Sequence, residues 1–201
     1  MRVCLVGGGG RESALARAMH RYGHILSFTH ANPAFVGLGD IAPGEPLEVA
    51  RRVGAELVVV GPEAPLADGL IDRLTQAGIP GFGPSAAAAR LESSKIFTKA
   101  LATKYALPTA ASRVVRRGDS FVPEHAWVVK LDGLAAGKGV WVCESAAETA
   151  AALADAFEQR PEADVLLEER LVGPELSVLG ISDGERVVPL LPARDHKRRV
   201  N

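Results

Sequence analysis

Short apolar runs alternate with stretches of helical spacing over the first part of the chain. The apolar runs predict buried strands at Arg2–Val6, Ile25–Thr29, Leu57–Val60 and Ile79–Phe82. Apolar side chains that recur every three or four residues predict helices at Arg11–Tyr22, Leu47–Val53 and Leu66–Ala77. Ala31–Pro46 is rich in Gly and Pro and is predicted to be a loop. This alternation is typical of a parallel sheet with helices on both faces.

The pattern changes near Gly83–Leu91, where a domain boundary is expected. Two helices are predicted in succession, at Ser85–Leu91 and Ser93–Tyr105. Closely spaced strands follow, interrupted by one alanine-rich helix at Ala146–Gln159. The predicted strands are Ser112–Arg116, Trp127–Lys130, Val140–Cys143, Asp164–Glu169, Leu176–Ile181 and Arg186–Leu191. The second part is therefore expected to be of α+β type.

Composition and charge narrow the class of protein. The 201 residues are 47% hydrophobic and 23% charged, as in a globular protein with a core. A net charge of -1 argues against nucleic acid or an anionic membrane as the partner. Cys4 and Cys143 stand in apolar runs without a CxxC pattern, so buried thiols and a reducing cytoplasm are expected. Four histidines lack the spacing of metal ligands and are expected to lie at the surface or to pack against other residues, namely His20, His24, His30 and His125.

A run of four glycines, Gly7–Gly10, follows the first strand and opens the first helix. Backbone N–H groups in such a position suit an anion. The run departs from a dinucleotide fingerprint, because Glu12 replaces the third glycine and no acidic residue ends the second strand. A phosphate or a phosphosugar remains as the ligand, and a tight turn that needs glycine for its own geometry is the alternative.

A second glycine-rich segment joins two predicted strands between Lys130 and Lys138. It differs from a Walker A loop, because Gly139 follows Lys138 where Ser or Thr is needed and no helix opens directly after it. A flexible loop between lysines suits a flap that closes over a triphosphate. The alternative is a plain glycine-rich hairpin.

Two neighbouring segments favour the flap. Lys95 stands at the start of a predicted helix and adds another cation. The connector from Glu168 to Glu175 exposes backbone groups that can read an adenine edge, and Glu175 can accept from ribose hydroxyls. Because side chains alternate along a strand, only one of Glu168 and Glu169 can point inward, and a solvated strand end is the alternative for both.

Together these motifs resemble the ATP-grasp superfamily. Three further segments resemble the phosphoribosylamine–glycine ligase family, namely Gly61–Leu66 (GPEAPL), Asp132–Gly139 (DGLAAGKG) and Asp195–Arg198 (DHKR). The resemblance runs from Met1 to the last residue. It implies an N-terminal parallel-sheet, Rossmann-like pre-ATP-grasp domain at residues 1–88. An incomplete ATP-grasp domain of α+β type follows at 89–201, with a flap subdomain at about 110–168.

The resemblance also implies roles for individual residues. Similar to the family's ATP-binding residues are Lys95, Lys130, Lys138, Glu169, Leu171 and Glu175. At positions where the family binds phosphoribosylamine stand Gly8, Gly9, Gly10, Arg11, Glu12, Asn32 and Glu63. Approaching substrate and phosphates from the ATP-grasp side are Asp195, His196, Lys197 and Arg198. Lys138 and Arg198 are the residues that the resemblance assigns to catalysis.

The implied reaction joins glycine to 5-phosphoribosylamine through a glycyl phosphate, with ATP and Mg²⁺ or Mn²⁺, in purine synthesis. No nucleic acid or membrane partner is expected, and the sequence carries no signal for an oligomeric state. Ser13 stands where the family usually has His, which leaves a relative for another acid and amine open. Family members run to roughly twice this length and place metal ligands in the further half. The 201 residues alone are therefore expected to be inactive, and a non-catalytic nucleotide- or phosphosugar-binding module is the remaining alternative.

Overall fold

The first part of the chain is a five-stranded parallel sheet in the order β3-β2-β1-β4-β5. The computed structural model describes residues 1–135 and 138–195. The strands are β1 (Arg2–Val6), β2 (Ile25–Phe28), β3 (Gly39–Ile41), β4 (Leu57–Val60) and β5 (Gly81–Phe82). The helices are α1 (Gly10–Arg21), α2 (Pro46–Arg52), α3 (Glu63–Ala67) and α4 (Leu70–Gln76), with one 3-10 turn at Pro33–Phe35.

The central strand β1 contributes side chains to two separate hydrophobic cores. Its side chains alternate, so Cys4 and Val6 face α2 and α4 while Val3 and Leu5 face α1 and the 3-10 turn. All four are buried. Both cysteines are buried free thiols, as predicted, and burial raises the pKa of Cys4 to about 11. The predicted parallel sheet with helices on both faces is confirmed.

The second part begins with α5 (Ala86–Ser93) and α6 (Lys95–Lys104). A four-stranded antiparallel sheet follows in the order β6-β9-β7-β8, covered by the helix α7 (Ala146–Gln159). Its strands are β6 (Ser112–Val115), β7 (Val128–Leu131), β8 (Val140–Val142) and β9 (Val165–Glu168). Two small antiparallel pairs complete the described chain, β10 (Glu175–Ser177) with β13 (Ala193–Asp195) and β11 (Gly180–Ser182) with β12 (Val187–Pro189).

Serines begin the three longer helices of the second part. The hydroxyl of Ser85 accepts from the N–H of Ala88 at the start of α5. In the same way, the hydroxyl of Ser94 accepts from the N–H of Phe97 in α6, and the hydroxyl of Ser145 accepts from the N–H of Glu148 in α7. Such caps satisfy backbone donors that a helix cannot pair within itself. Because Ser94 has extended backbone, it separates α5 from α6 and sets where Lys95 begins the second helix.

Several predicted elements are wrong in detail. The predicted helix Leu66–Ala77 is two helices, because Gly69 adopts φ +78° and ends α3 before α4 begins. The predicted loop Ala31–Pro46 contains the strand β3, whose three residues are all exposed and carry no apolar run. The predicted strand Leu176–Ile181 is divided between β10 and β11, and Arg186–Leu191 shortens to β12. The short strand β13 was not predicted.

The two parts contact each other through α3 and α5. The N–H of Ala86, at the start of α5, also donates to Asp72 of α4 at 2.7 Å. This contact places the beginning of the second part beside the carboxyl end of β4. In residues 1–135 and 138–195, the helices all lack the combination of length and apolar character that a membrane crossing requires.

Candidate functional site

The loops that follow β1, β2 and β4 meet at one edge of the parallel sheet. They surround an open cavity of about 450 Å³. Its lining is formed by Gly7, Gly8, Gly9, Gly10, Arg11, Glu12, His30, Pro62 and Glu63. Ligands of open α/β sheets bind at this edge, outside the carboxyl ends of the strands. We call this space the strand-end cavity.

Arg11 and Glu63 form the charged rim of the strand-end cavity. The Arg11 guanidinium donates to the carbonyl of Gly61 at 2.5 Å and to Glu63 Oε1 at 3.0 Å. Bonding to its own backbone N–H, and then to Arg11, holds the pKa of Glu63 below its usual range. Glu63 is therefore a carboxylate at neutral pH, suited to accept from an amine or a hydroxyl.

Glu12 lies beneath the glycine loop. Its side chain is buried, and its Oε2 accepts from the N–H of Gly9 at 2.5 Å. A Cβ on Gly9 would lie 2.9 Å from Oε2, and a Cβ on Gly61 would overlap the carboxylate. Glycines are thus needed here to make room for a buried carboxylate, in addition to any approach of a ligand. Glu12 supports the shape of the loop from inside.

Asn32 braces the same loop from the other side. Its Nδ2 donates to the carbonyl of Gly8 at 2.6 Å, and its Oδ1 accepts from the N–H of Ala34 at 2.7 Å. Both ends of the amide are therefore already bonded within the protein. Asn32 lines a neighbouring apolar cavity of about 490 Å³ together with Phe35 and Ile41.

A larger cavity of about 630 Å³ lies between the two parts of the chain. The first part contributes Pro62, Glu63 and Ala64, and the second contributes Glu92, Lys95, Gly133, Leu134, Ala135, Gly139 and Val140. Pro62 and Glu63 also line the strand-end cavity, so the two spaces share a wall. We call the larger space the interdomain cavity.

Lys95 is hydrogen-bonded to the start of the glycine-rich loop between β7 and β8, the predicted flap loop. Its Nζ donates to the carbonyl of Gly133 at 2.9 Å. The adjacent Asp132 accepts from the hydroxyl of Ser94 at 2.9 Å and from the N–H of Ile96 at 3.1 Å. A carboxylate at the N-terminus of α6 is favourable, since unpaired N–H groups point there. Sequence reasoning missed this role of Asp132, whose partners lie far away along the chain.

Lys130 of β7 is paired with Glu168 at the end of β9. Oε2 of Glu168 bonds to Nζ of Lys130, and Oε1 bonds to Nζ of Lys99 at 2.9 Å. Lys99 also donates to Thr109 Oγ1 at 2.6 Å and to the carbonyl of Ala110 at 2.9 Å. All three protons of the Lys99 ammonium are thus used. Lys99 and Glu168 form an anchor, missed by sequence reasoning, that fixes the position of Lys130.

The connector after β9 follows this anchor directly. Glu169 is exposed while Glu168 turns inward, as alternation along the strand predicts. The backbone N–H of Glu169 donates to the carbonyl of Ala111 at 2.8 Å. Leu171 is 70% exposed, and Glu175 lies in β10 opposite Asp195 of β13. The connector therefore begins next to Glu168, the partner of Lys130, and carries an exposed apolar side chain at Leu171.

The remaining predicted residues are less closely held. The backbone N–H of Lys138 donates to Ala135 at 2.9 Å, and its side chain is exposed. The predicted residues His196, Lys197 and Arg198 lie outside the described residues. Within residues 1–135 and 138–195, no group of three or more His, Cys, Asp or Glu could hold a metal ion. The described part of the chain therefore lacks a set of side chains that fits Mg²⁺ as ligands.

Burial alone would raise the pKa of Glu168, but the hydrogen bonds from Lys130 and Lys99 outweigh it and lower the pKa. A lowered folded-state pKa stabilises the protein above the unfolded-state value of about 4.3 and loses that effect as pH falls through the folded value. Glu168→Gln is therefore expected to reduce the loss of unfolding free energy on acidification. Chemical denaturation at neutral and strongly acidic pH measures this loss in the wild type and in Glu168→Gln. Glu158→Gln, at an exposed position of α7, is the control. Equal acid dependence in all three proteins would contradict the anchor.

Comparison with known proteins identifies the family. The family model for the phosphoribosylglycinamide synthetase N domain matches residues 1–92, and the model for its ATP-grasp (A) domain matches 93–201. Phosphoribosylamine–glycine ligase of Rhodopirellula baltica is 42% identical over 220 residues, covering 97% of this chain and 50% of the relative. The Streptomyces coelicolor ligase is 42% identical over 215 residues, covering 100% of this chain and 50% of the relative.

Solved structures agree with this result. The phosphoribosylamine–glycine ligase of Thermotoga maritima superposes with a TM-score of 0.80 at 30% identity, over 98% of this chain and 51% of that chain. An N5-carboxyaminoimidazole ribonucleotide synthetase, solved as an ADP complex, has the same fold with a TM-score of 0.76 at 18% identity. The match covers 100% of this chain and 55% of that chain. The chain spans about half the length of the curated relatives it matches. It belongs to the phosphoribosylglycinamide synthetase family, as its motifs indicate.

Proposed function

We propose that the chain supplies the phosphosugar-binding domain and the nucleotide flap of a ligase that joins glycine to 5-phosphoribosylamine with ATP. We place the boundary between the two parts near residue 88, in the first turn of α5. The interdomain cavity carries the proposal, because Glu63 of the first part and Lys95 of the second line it together. A carboxylate that can accept from an amine and an ammonium that can bind phosphates are the groups this pair of substrates requires.

The proposed chemistry activates a poor electrophile. An oxygen of the glycine carboxylate attacks the γ-phosphorus, and the bond to the leaving ADP breaks. The amine of phosphoribosylamine then attacks the glycyl carbonyl carbon, and the C–O bond to phosphate breaks. The amine proton passes to solvent, which leaves an amide, ADP and phosphate. Phosphoryl transfer depends mostly on positioning and charge neutralisation.

The lysines of the second part fit these tasks differently. Lys130 is fixed on a strand by the anchor of Lys99 and Glu168, which suits a permanent position for one phosphate group. Lys95 stands at a helix start and holds the beginning of the flap loop. Lys138 has an exposed side chain on that loop, so it would approach the phosphates when the loop closes. Closure would also exclude water, which matters because acyl phosphates hydrolyse.

The cofactor and the compartment follow from the same proposal. Mg²⁺ or Mn²⁺ would accompany the triphosphate and offset part of its charge. We place the activity in the cytoplasm, where ATP is available and where the buried thiols Cys4 and Cys143 are free. Both substrates are small molecules. The adenine would contact the connector after β9 and the ribose would contact Glu175, while the segment from Asp195 would face the phosphates.

ADP release by the complete polypeptide that carries this sequence tests the proposal. Release is expected to require both glycine and phosphoribosylamine, and to fall to background when either is omitted. The 201 residues alone are expected to release none. ADP release with another amino acid but not with glycine would indicate a relative with different substrates. Binding of ATP without any ADP release by the complete polypeptide would favour a binding module and contradict the ligase.

A further inference from the structure

His30 is an unassigned residue on the wall of the strand-end cavity. It follows β2 directly and its ring lies beside the glycine loop, where a Cβ on Gly8 would come within 3.1 Å of the His30 Cβ. The ring is also hydrogen-bonded to the preceding residue, since its Nδ1 lies 2.8 Å from the hydroxyl oxygen of Thr29. Its position is therefore set by two neighbouring strands of the sheet.

The buried hydroxyl of Thr29 is the hydrogen-bond partner of one ring nitrogen of His30. The threonine is buried, and its Oγ1 already accepts from the N–H of Gly7 at 3.4 Å. Its hydroxyl has one proton to donate, and Nδ1 of His30 is the acceptor within reach in the described part of the chain. With Thr29 as the donor in this bond, Nδ1 is the acceptor. The neutral imidazole then carries its proton on Nε2, on the opposite side of the ring.

Other polar side chains in and beside the strand-end cavity already have at least one partner in the protein. Glu12 takes the N–H of Gly9, and Asn32 is bonded at both ends of its amide. Arg11 is engaged by the carbonyl of Gly61 and by Glu63. Nε2 of His30, in contrast, has no bond within residues 1–135 and 138–195. It is the ring nitrogen of this cavity-lining residue that is left for a ligand.

We propose that Thr29 donates to Nδ1 of His30 and that His30 is a substrate-binding residue, whose Nε2–H faces the strand-end cavity and donates to a phosphate or hydroxyl oxygen of the phosphosugar. The inference rests on the proposed function, because it takes the strand-end cavity to be the phosphosugar site. Thr29 is the positioning residue that fixes the tautomer. An N–H donor in this place can bond to a ligand oxygen that carries no full charge.

Isothermal titration of the complete polypeptide with ribose 5-phosphate tests the inference. His30→Ala is expected to weaken binding about fivefold to tenfold, the effect of one lost hydrogen bond. His30→Gln, which keeps an N–H donor near the place of Nε2, is expected to stay within about twofold of wild type. His20→Ala is the matched control, since His20 is an exposed histidine on α1 and binding should be unchanged.

Titrations with inorganic phosphate and with ribose identify the oxygen. A loss in His30→Ala for inorganic phosphate supports a phosphate contact, and a loss confined to ribose-containing ligands supports a hydroxyl contact. If wild type binds ribose 5-phosphate and His30→Ala binds equally well, the inference fails while the proposed function stands. Equal weakening in His30→Gln and His30→Ala would also overturn it. If wild type does not bind ribose 5-phosphate, the inference fails, and ADP release with glycine and phosphoribosylamine still decides the proposed function.

Discussion

Lys130→Ala is expected to lower kcat/KM for ATP-dependent ligation by about 10²- to 10³-fold, the range for removal of one preorganised charge-stabilising group. Lys130 lies on β7, and its one bond within the described residues is to Glu168. Two protons of its ammonium are therefore available for phosphate oxygens. Because the anchor holds the charge in place before the nucleotide arrives, no reorganisation is needed during the reaction.

Steady-state ADP release by the complete polypeptide measures this effect. Lys104→Ala is the matched control, because Lys104 ends α6 with its ammonium over the ring of Tyr105 and should not affect turnover. Lys130→Arg keeps the charge but changes its shape and reach, so partial activity is expected. A Lys130→Ala protein with unchanged kcat/KM would show that the lysine serves only the anchor.

Gly61→Ala is expected to destabilise the protein by about 1–3 kcal/mol, the usual cost of overpacking a filled interior. The new Cβ would overlap the carboxylate of Glu12, which is buried and bonded to the N–H of Gly9. Displacing Glu12 would leave that N–H unpaired and would shift the glycine loop. Binding of ribose 5-phosphate should therefore weaken together with stability.

Chemical denaturation of four variants, Gly61→Ala, Glu12→Ala, their double substitution and Gly10→Ala, separates the clash from other effects. Gly10→Ala is the control, since a Cβ there meets nothing within 4 Å. The double substitution Glu12→Ala with Gly61→Ala removes the clash, so its cost should be less than the sum of the two single costs. Gly61→Ala as stable as Gly10→Ala would contradict the packing described for this loop.

Elements with strong local signals could be predicted from the sequence. The bounds of β1, β4 and α7 agree with the predicted Arg2–Val6, Leu57–Val60 and Ala146–Gln159. The two strands are continuous apolar runs buried between helix layers, and the helix is made of strong helix formers. The edge strand β3 gave no such signal, because its residues are exposed and are held by pairing with β2 alone.

The candidate site was only partly predictable, for a different reason. Glycine runs and lysines are visible along the chain, and they led to Lys95, Lys130 and the glycine loop. The anchor of Lys99 and Glu168 joins residues from α6 and β9 that no local pattern connects. Similarly, His30 became a candidate only when Thr29 was found to orient its ring. Sequence patterns indicate which groups are present, whereas their partners depend on tertiary packing.

Transfer of ¹⁸O from the carboxylate of labelled glycine tests the central claim most directly. The complete polypeptide would be supplied with labelled glycine, phosphoribosylamine and ATP, and the phosphate released would be analysed by mass spectrometry. Ligation through a glycyl phosphate predicts one ¹⁸O atom in each phosphate and its partner in the amide product. Phosphate without label, released at the same rate as ADP, would show that the carboxylate is not activated and would contradict the account.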